Sequence, residues 1–181
     1  MGQATTAETA FDPTSHSHLM DGTYPVARDV DVQLKKLADV LVGCGVEVEH
    51  PAGISDLEQV FARDVGLVIE DRFFRSVMIG ERQKEWDGIQ HLLDGLNIDV
   101  IPDHARMEGG DVLILKHSLA VGVTRDPELI GLKTARTNQA ALDFLSSAFP
   151  HREVLGVEKS SMKLPAGRSG HHSPVIAAAT P

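Results

Sequence analysis

Two stretches of this sequence carry the same succession of local patterns, and that repetition constrains the fold more than any other feature. In the first, from about residue 60 to 101, the apolar runs Gly66 to Ile69 and Phe73 to Ile79 flank the polar Glu70-Asp71-Arg72 and read as a hairpin. An amphipathic helix is predicted from about Gln83 to Leu93, with Trp86, Ile89 and Leu93 inward and Gly95 at its end; Ile98 to Ile101 then reads as a strand. In the second, from about 111 to 157, Asp111 to Leu115 and Leu119 to Val123 form the hairpin. A helix opens near Thr137, its natural N-cap, and turns Ala141, Leu142, Leu145 and Phe149 inward, before a strand at Val154 to Val157. Two strands, a helix and a strand, given twice, predict an α/β array of ββαβ modules.

Outside the repeats, residues 1–26 are rich in Thr, Ser, His and Asp without an apolar period and read as an extended N-terminal segment. Val30, Leu34, Leu37, Leu41 and Cys44 recur at steps of three and four, which predicts a helix over 27–43 stopped by Gly43 and Gly45. A short strand at Val46 to Val48 and a turn at Pro51 to Gly53 follow. After Lys159 the pattern ends. The stretch 160–181, with Pro165-Ala-Gly-Arg-Ser-Gly-His-His-Ser-Pro and an Ala-rich end, has the composition of a disordered or frameshifted tail, which leaves 27–159 as the folded unit.

Composition narrows the function. A chain of 181 residues with 42% hydrophobic content can bury one substantial core. Acidic residues outnumber Lys and Arg by 26 to 17 with no basic block, which argues against nucleic acid or an anionic membrane and favours a cationic small molecule. No apolar run approaches the roughly 20 residues of a membrane span, and the first residues lack a signal peptide's blocks, so a cytoplasmic protein is expected. Gly2 matches a myristoylation pattern only at residue 6, a match too short to weigh. The single cysteine, Cys44, excludes an internal disulfide and reads as a core thiol on the apolar stripe rather than a nucleophile. His16 and His18, and His171-His172, have no acid or thiol at ligand spacing, so neither metal nor other cofactor is expected.

Three segments carry charge where the pattern does not call for it. In Phe61-Ala62-Arg63-Asp64, the carboxylate follows two apolar residues and needs a cationic partner. That partner is either Arg63 or another nearby arginine, or a planar guanidinium ligand held by two parallel hydrogen bonds. In Met107-Glu108-Gly109-Gly110-Asp111 a turn accounts for the glycines, which allow close backbone approach, but not for Glu108. In Ala135-Arg136-Thr137-Asn138 an arginine sits at a helix N-terminus, unfavourable unless an anion is shared or an acid of a neighbouring module pairs with it. Arg82 opens the preceding helix in the same way.

In this order the segments resemble the signature of the pentein superfamily, the arginine deiminases, dimethylarginine dimethylaminohydrolases and amidinotransferases. Ala10-Phe-Asp-Pro13, Asp21-Gly-Thr-Tyr-Pro25 and Val68-Ile-Glu-Asp71 further resemble a bacterial amidinotransferase branch, so the similarity spans roughly residues 7 to 159. The resemblance implies a five-bladed α/β propeller of which this chain supplies about three blades, with unpaired strand edges expected to drive self-association. It implies that Asp64 grips a substrate guanidinium such as that of arginine, that Glu108 orients the catalytic histidine and contacts the guanidinium, and that Arg82 and Arg136 hold the substrate carboxylate. Such enzymes use a histidine in a His-Leu-Asp or His-Leu-Lys stretch as general acid and base, and a cysteine near the C-terminus that forms an amidino-enzyme intermediate. Here Ser161-Met-Lys-Leu-Pro165 stands where the histidine belongs, with Lys163 its nearest match, and the nucleophile's region is missing. Ala62 and Glu58 also depart from the usual threonine and asparagine. The expectation is a guanidino-group-modifying enzyme truncated before its histidine and cysteine and inactive alone, or a non-catalytic guanidine-binding module completed by a second chain.

Overall fold

The computed structural model describes residues 13–55, 57, 59–127, 130, 136–160 and 175–176. The expectations for Ala10 to Asp12, Glu58, Ala135, Ser161 to Pro165 with Lys163, and His171-His172 lie outside the described residues.

Two helices precede the sheets. Helix α1 spans Pro13–Met20, inside the segment expected to be extended; its apolar period is as weak as the sequence suggested, and a His18 Nδ1 contact to Thr23 Oγ1 at 2.8 Å ties its end to the following turn. Helix α2 spans Ala27–Gly43, the predicted range. Its covered side is Val30, Leu34, Ala38 and Leu41, whereas Leu37, Val40 and Cys44 are exposed. The core position expected for Cys44 is therefore corrected. The apolar arc of α2 is wider than the surface it rests on, and Cys44 falls on the uncovered flank. Val46 to Val48 form no strand.

A single helical turn, α3 (Ala62–Val65), leads into β1 (Gly66–Ile69), which pairs antiparallel with β2 (Arg72–Arg75); β3 (Ile98–Val100) adds to β2 in parallel. The hairpin turns at Glu70, whose backbone takes φ 60, and its carboxylate accepts from Arg152 Nε at 2.7 Å and contacts His151 Nε2 at 2.7 Å. The second sheet repeats this order. Strands β4 (Val112–Ile114) and β5 (Ser118–Val123) pair antiparallel, β6 (Glu153–Ser160) joins β5 in parallel, and β7 (Val175–Ile176) adds at Lys159 and Ser160. Between β5 and β6 runs helix α4 (Gln139–Ala148).

The connection from β2 to β3 is where periodicity misleads. Instead of an α-helix over 83–93, the chain forms 3-10 helices at Gly80–Gly88 and Gln90–Leu92. At three residues per turn, Arg82, Glu85 and Gly88 eclipse one another, and all three are buried. The apolar side still packs inward: Trp86 sits with Val65, Met78 and Phe73, with Ile89 and Leu93 beside them.

One core joins the sheets. Leu119, Val121 and Val123 alternate inward along β5 and share one core with Ala141, Leu142 and Leu145 of α4 and with Leu67, Ile69 and Phe74 of the first sheet. Phe74 lies edge-on to Phe144 and Phe149, with ring centroids 6.1 and 5.6 Å away. Arg72 forks onto Asp99 at 2.9 and 3.0 Å, its guanidinium over both the Phe74 and Phe149 rings. Asp99 is held below the usual carboxylate range by that hydrogen-bonded pair. No helix among the described residues is long and apolar enough to cross a membrane.

Candidate functional site

The anomalous charges converge on one buried cluster. Arg82, 3% exposed, stands at its centre and uses its whole donor set. Nε and Nη2 fork onto Glu85 at 2.6 and 2.8 Å, Nη1 donates to Asp64 Oδ2 at 2.7 Å and Glu108 Oε2 at 3.2 Å, and Nη2 also reaches the Phe61 carbonyl at 3.4 Å. The i,i+3 pairing with Glu85 follows from the 3-10 geometry. Arg63, the nearest candidate partner for Asp64 in sequence, instead donates to the carbonyls of Val112 at 2.8 Å and Gly109 at 3.5 Å. These bonds clamp α3 against the turn before β4.

The two glycines of that turn are required by close approach, not by backbone angle, since neither has positive φ. A Cβ on Gly109 would strike the Arg63 carbonyl, and one on Gly110 would lie against Asp64 Oδ1. Asp64 and the Gly109-Gly110 turn are thus fitted to one another.

Glu108, also 3% exposed, is shared between arginines: its Oε2 accepts from Arg82 and from Arg136 Nη1 at 2.9 Å. Its Oε1 is buried and accepts from no group among the described residues. A carboxylate oxygen in that setting sits at a cost of about 1–3 kcal/mol unless a donor arrives. Behind it, Thr137 Oγ1 accepts from the Glu108 N–H at 3.3 Å and donates to Asp111 Oδ2. Thr137 is therefore not the N-cap of α4. Asn138 takes that place, accepting from Ala141 N–H at 3.2 Å, because the Thr137 hydroxyl is already engaged with the Glu108-Asp111 turn.

The electrostatics are those of a crowded, largely buried cluster. Burial raises the pKa of both Glu85 and Glu108, although their arginine partners oppose the shift. For Arg82, burial lowers the pKa, but its bonds to Glu85 and Asp64 prevail and hold it above its ordinary value. Asp64, Glu85 and Glu108 face Arg82 and Arg136, an excess of one carboxylate that favours a further cation. The structure brings together all four residues that the sequence marks, Asp64, Arg82, Glu108 and Arg136. It adds Glu85 and Thr137, which the sequence does not mark for the site; a glutamate three residues after an arginine is the available signal for the first.

A cleft of about 650 Å³ opens beside Arg136, lined by Val77 to Glu81, Gln83, Asp103, Arg106 and Ile130. Arg136 belongs to both cleft and cluster. Among the described residues neither a histidine nor Cys44 bonds to the cluster, and no group of His, Cys, Asp and Glu is arranged to hold a metal ion.

Among the solved structures that this chain resembles are three enzymes. The N-terminal domain of an arginine dihydrolase of the ornithine-ammonia cycle in cyanobacteria, solved with its substrate, superposes with TM-score 0.63 at 19% identity, covering 84% of this chain and 54% of that one. An amidinotransferase of the saxitoxin biosynthetic pathway from Microseira wollei gives TM-score 0.60 at 14% identity over 76% of this chain and 51% of that one. The dimethylarginine dimethylaminohydrolase from Pseudomonas aeruginosa, solved with citrulline, gives 0.59 at 16% identity over 77% and 53%. The fold is the pentein fold. The chain spans about half the length of each of these pentein-fold enzymes. No family model and no curated protein matches the sequence.

Proposed function

We infer that the chain binds a guanidinium-bearing small molecule such as arginine, as the binding part of a guanidino-group-modifying enzyme, an amidinotransferase or a C–N hydrolase. The observation that carries this reading is Glu108: a buried carboxylate beside Asp64, with Oε2 held by two arginines and Oε1 without a donor. A guanidinium offers planar, charge-assisted donors to such an oxygen. The excess of carboxylate in the cluster adds the attraction, and the pentein fold supplies the context in which the neighbouring enzymes act on arginine and related compounds. In this reading 27–159 is an incomplete propeller domain, and its two sheets are blades.

The roles divide as follows. Asp64 and Glu108 bind the guanidinium. Arg136, which also lines the cleft, takes the substrate carboxylate. Arg82, with its donors occupied inside the cluster, serves as the internal counter-ion that keeps three carboxylates close together. The chemistry through a cysteine-amidino intermediate requires a histidine and a thiolate that the described cluster does not contain. The second reading, a non-catalytic guanidine-binding subunit completed by another chain, is favoured by an uncovered apolar row on the second sheet, where Leu113 is 55% and Leu155 41% exposed.

Calorimetry with L-arginine, run beside a citrulline-formation assay, tests the reading. Binding is expected without turnover by the chain alone, with Asp64→Asn and Glu108→Gln each weakening affinity roughly tenfold or more, about the loss of one charge-assisted hydrogen bond. Both variants must retain the wild-type melting transition. Failure of the wild type to bind any guanidine, or unchanged affinity in both variants, sinks the proposal.

A further inference from the structure

The cleft beside Arg136 has a second cation that no role so far accounts for. Arg106 lines the same cavity, is exposed, and makes no side-chain hydrogen bond or ion pair among the described residues. Its backbone, by contrast, is fixed. The Arg106 carbonyl accepts from Asn138 N–H at 3.1 Å, and Asn138 Nδ2 donates to the His104 carbonyl at 2.8 Å, which ties the 104–106 segment to the start of α4 directly after Arg136. Val77, which also lines the cavity, is fixed too, because it and Met107 exchange backbone hydrogen bonds at 3.0 and 3.3 Å. Two guanidiniums, Arg106 and Arg136, therefore line one cleft together with Val77, Met78 and Ile79. Asp103 and Glu81, both exposed, line the same cavity and supply acids.

We propose that Arg106 is a specificity-determining residue that, together with Arg136, binds the carboxylate of a zwitterionic guanidino acid, while Asp103 faces its ammonium group. The inference rests on the guanidine reading and extends it. Arg136 links the two ends of such a ligand, since it touches Glu108 in the cluster and lines the cleft outside it. Arg82 is ill placed to assist, because its donors are consumed by Glu85, Asp64, Glu108 and the Phe61 carbonyl. The cation available for a carboxylate beside Arg136 is then Arg106. Two guanidiniums beside the exposed acids Glu81 and Asp103 select a ligand carrying both a carboxylate and an ammonium over one carrying the ammonium alone.

The test compares three ligands that share the guanidinium: L-arginine, agmatine without the carboxylate, and 4-guanidinobutyrate without the ammonium. Affinities for each are measured by calorimetry on the full chain, wild type and Arg106→Gln. The exposed side chain is expected to be replaceable with no change in melting. Arg106→Gln should weaken arginine and 4-guanidinobutyrate roughly tenfold and leave agmatine within about twofold, and Arg106→Lys should recover part of the loss. Equal losses for all three ligands, or none, overturn the assignment of Arg106 while leaving guanidine binding standing. A wild-type chain that binds none of the three removes the guanidine reading itself, and this inference with it.

Discussion

At the scale of single residues, Glu108 decides the behaviour of the cluster. Burial raises its pKa, against the pull of Arg136 and Arg82, so in the ligand-free fold it takes up a proton at a higher pH than an exposed glutamate does. A guanidinium ligand, itself protonated throughout this range, favours the ionised form. Binding therefore releases a proton, and affinity is lost as the pH falls through the raised value. Calorimetric titration on lowering the pH from about 7.5 should show arginine affinity beginning to decline above the ordinary carboxylate range, and Glu108→Gln should flatten that decline. An affinity that stays level across the range in the wild type would remove Glu108 from the binding step. Much of this was legible in the sequence, because an acid between Met107 and two glycines has no place in a surface period. That Glu108 would share one oxygen between two arginines was not, since Arg82 and Arg136 stand 26 and 28 residues away from it.

The elements fall into two groups by how their period is written. Helices α2 and α4 and the second hairpin have limits near those expected from 3.6 and 2.0 residue periods, whereas in the first hairpin the strand expected over Phe73 to Ile79 ends at Arg75. The Gly80–Gly88 segment does not follow such a period, because the residues it buries include a charged pair that no apolar count registers. Its 3-10 geometry brings Arg82 over Glu85, and that pair in turn holds Asp64 and Glu108. Arg82→Lys retains the charge but cannot fork onto Glu85 while also reaching Asp64 and Glu108. Removing donors from this buried network is expected to cost roughly 3–5 kcal/mol in urea denaturation, the range for breaking a buried ion pair. A loss below about 1 kcal/mol would show that water or rearrangement serves the carboxylates equally well. The helix cap makes the same point on a smaller scale. Thr137 and Asn138 are both good caps by type, and only the contact of Thr137 with Glu108 and Asp111 determines which one acts.

Taken whole, the molecule covers the faces of its two sheets differently. In the first sheet, the row containing Leu67 and Phe74 is covered by α4, which also packs on the inward face of the second sheet. The row in the same register of the second sheet is Leu113, Ala120 and Leu155, paired across β4, β5 and β6 and facing away from α4. Nothing among the described residues covers it: Leu113 and Leu155 are 55% and 41% exposed, whereas Phe74 is fully buried. An apolar cross-strand row of this kind favours association with a like surface. The 181-residue chain is expected to sediment as a species larger than its 19.5 kDa monomer at micromolar concentration. Leu155→Asp places a charge in the middle of the row at a position that contributes little to the internal core, so it should keep the wild-type melting transition and shift the chain to monomer. Sedimentation velocity across a concentration series distinguishes the outcomes. A wild-type chain that is monomeric throughout, or a variant that associates as the wild type does, would place the self-association elsewhere or remove it; loss of association with an intact fold would identify this sheet face as the surface that a second chain completes.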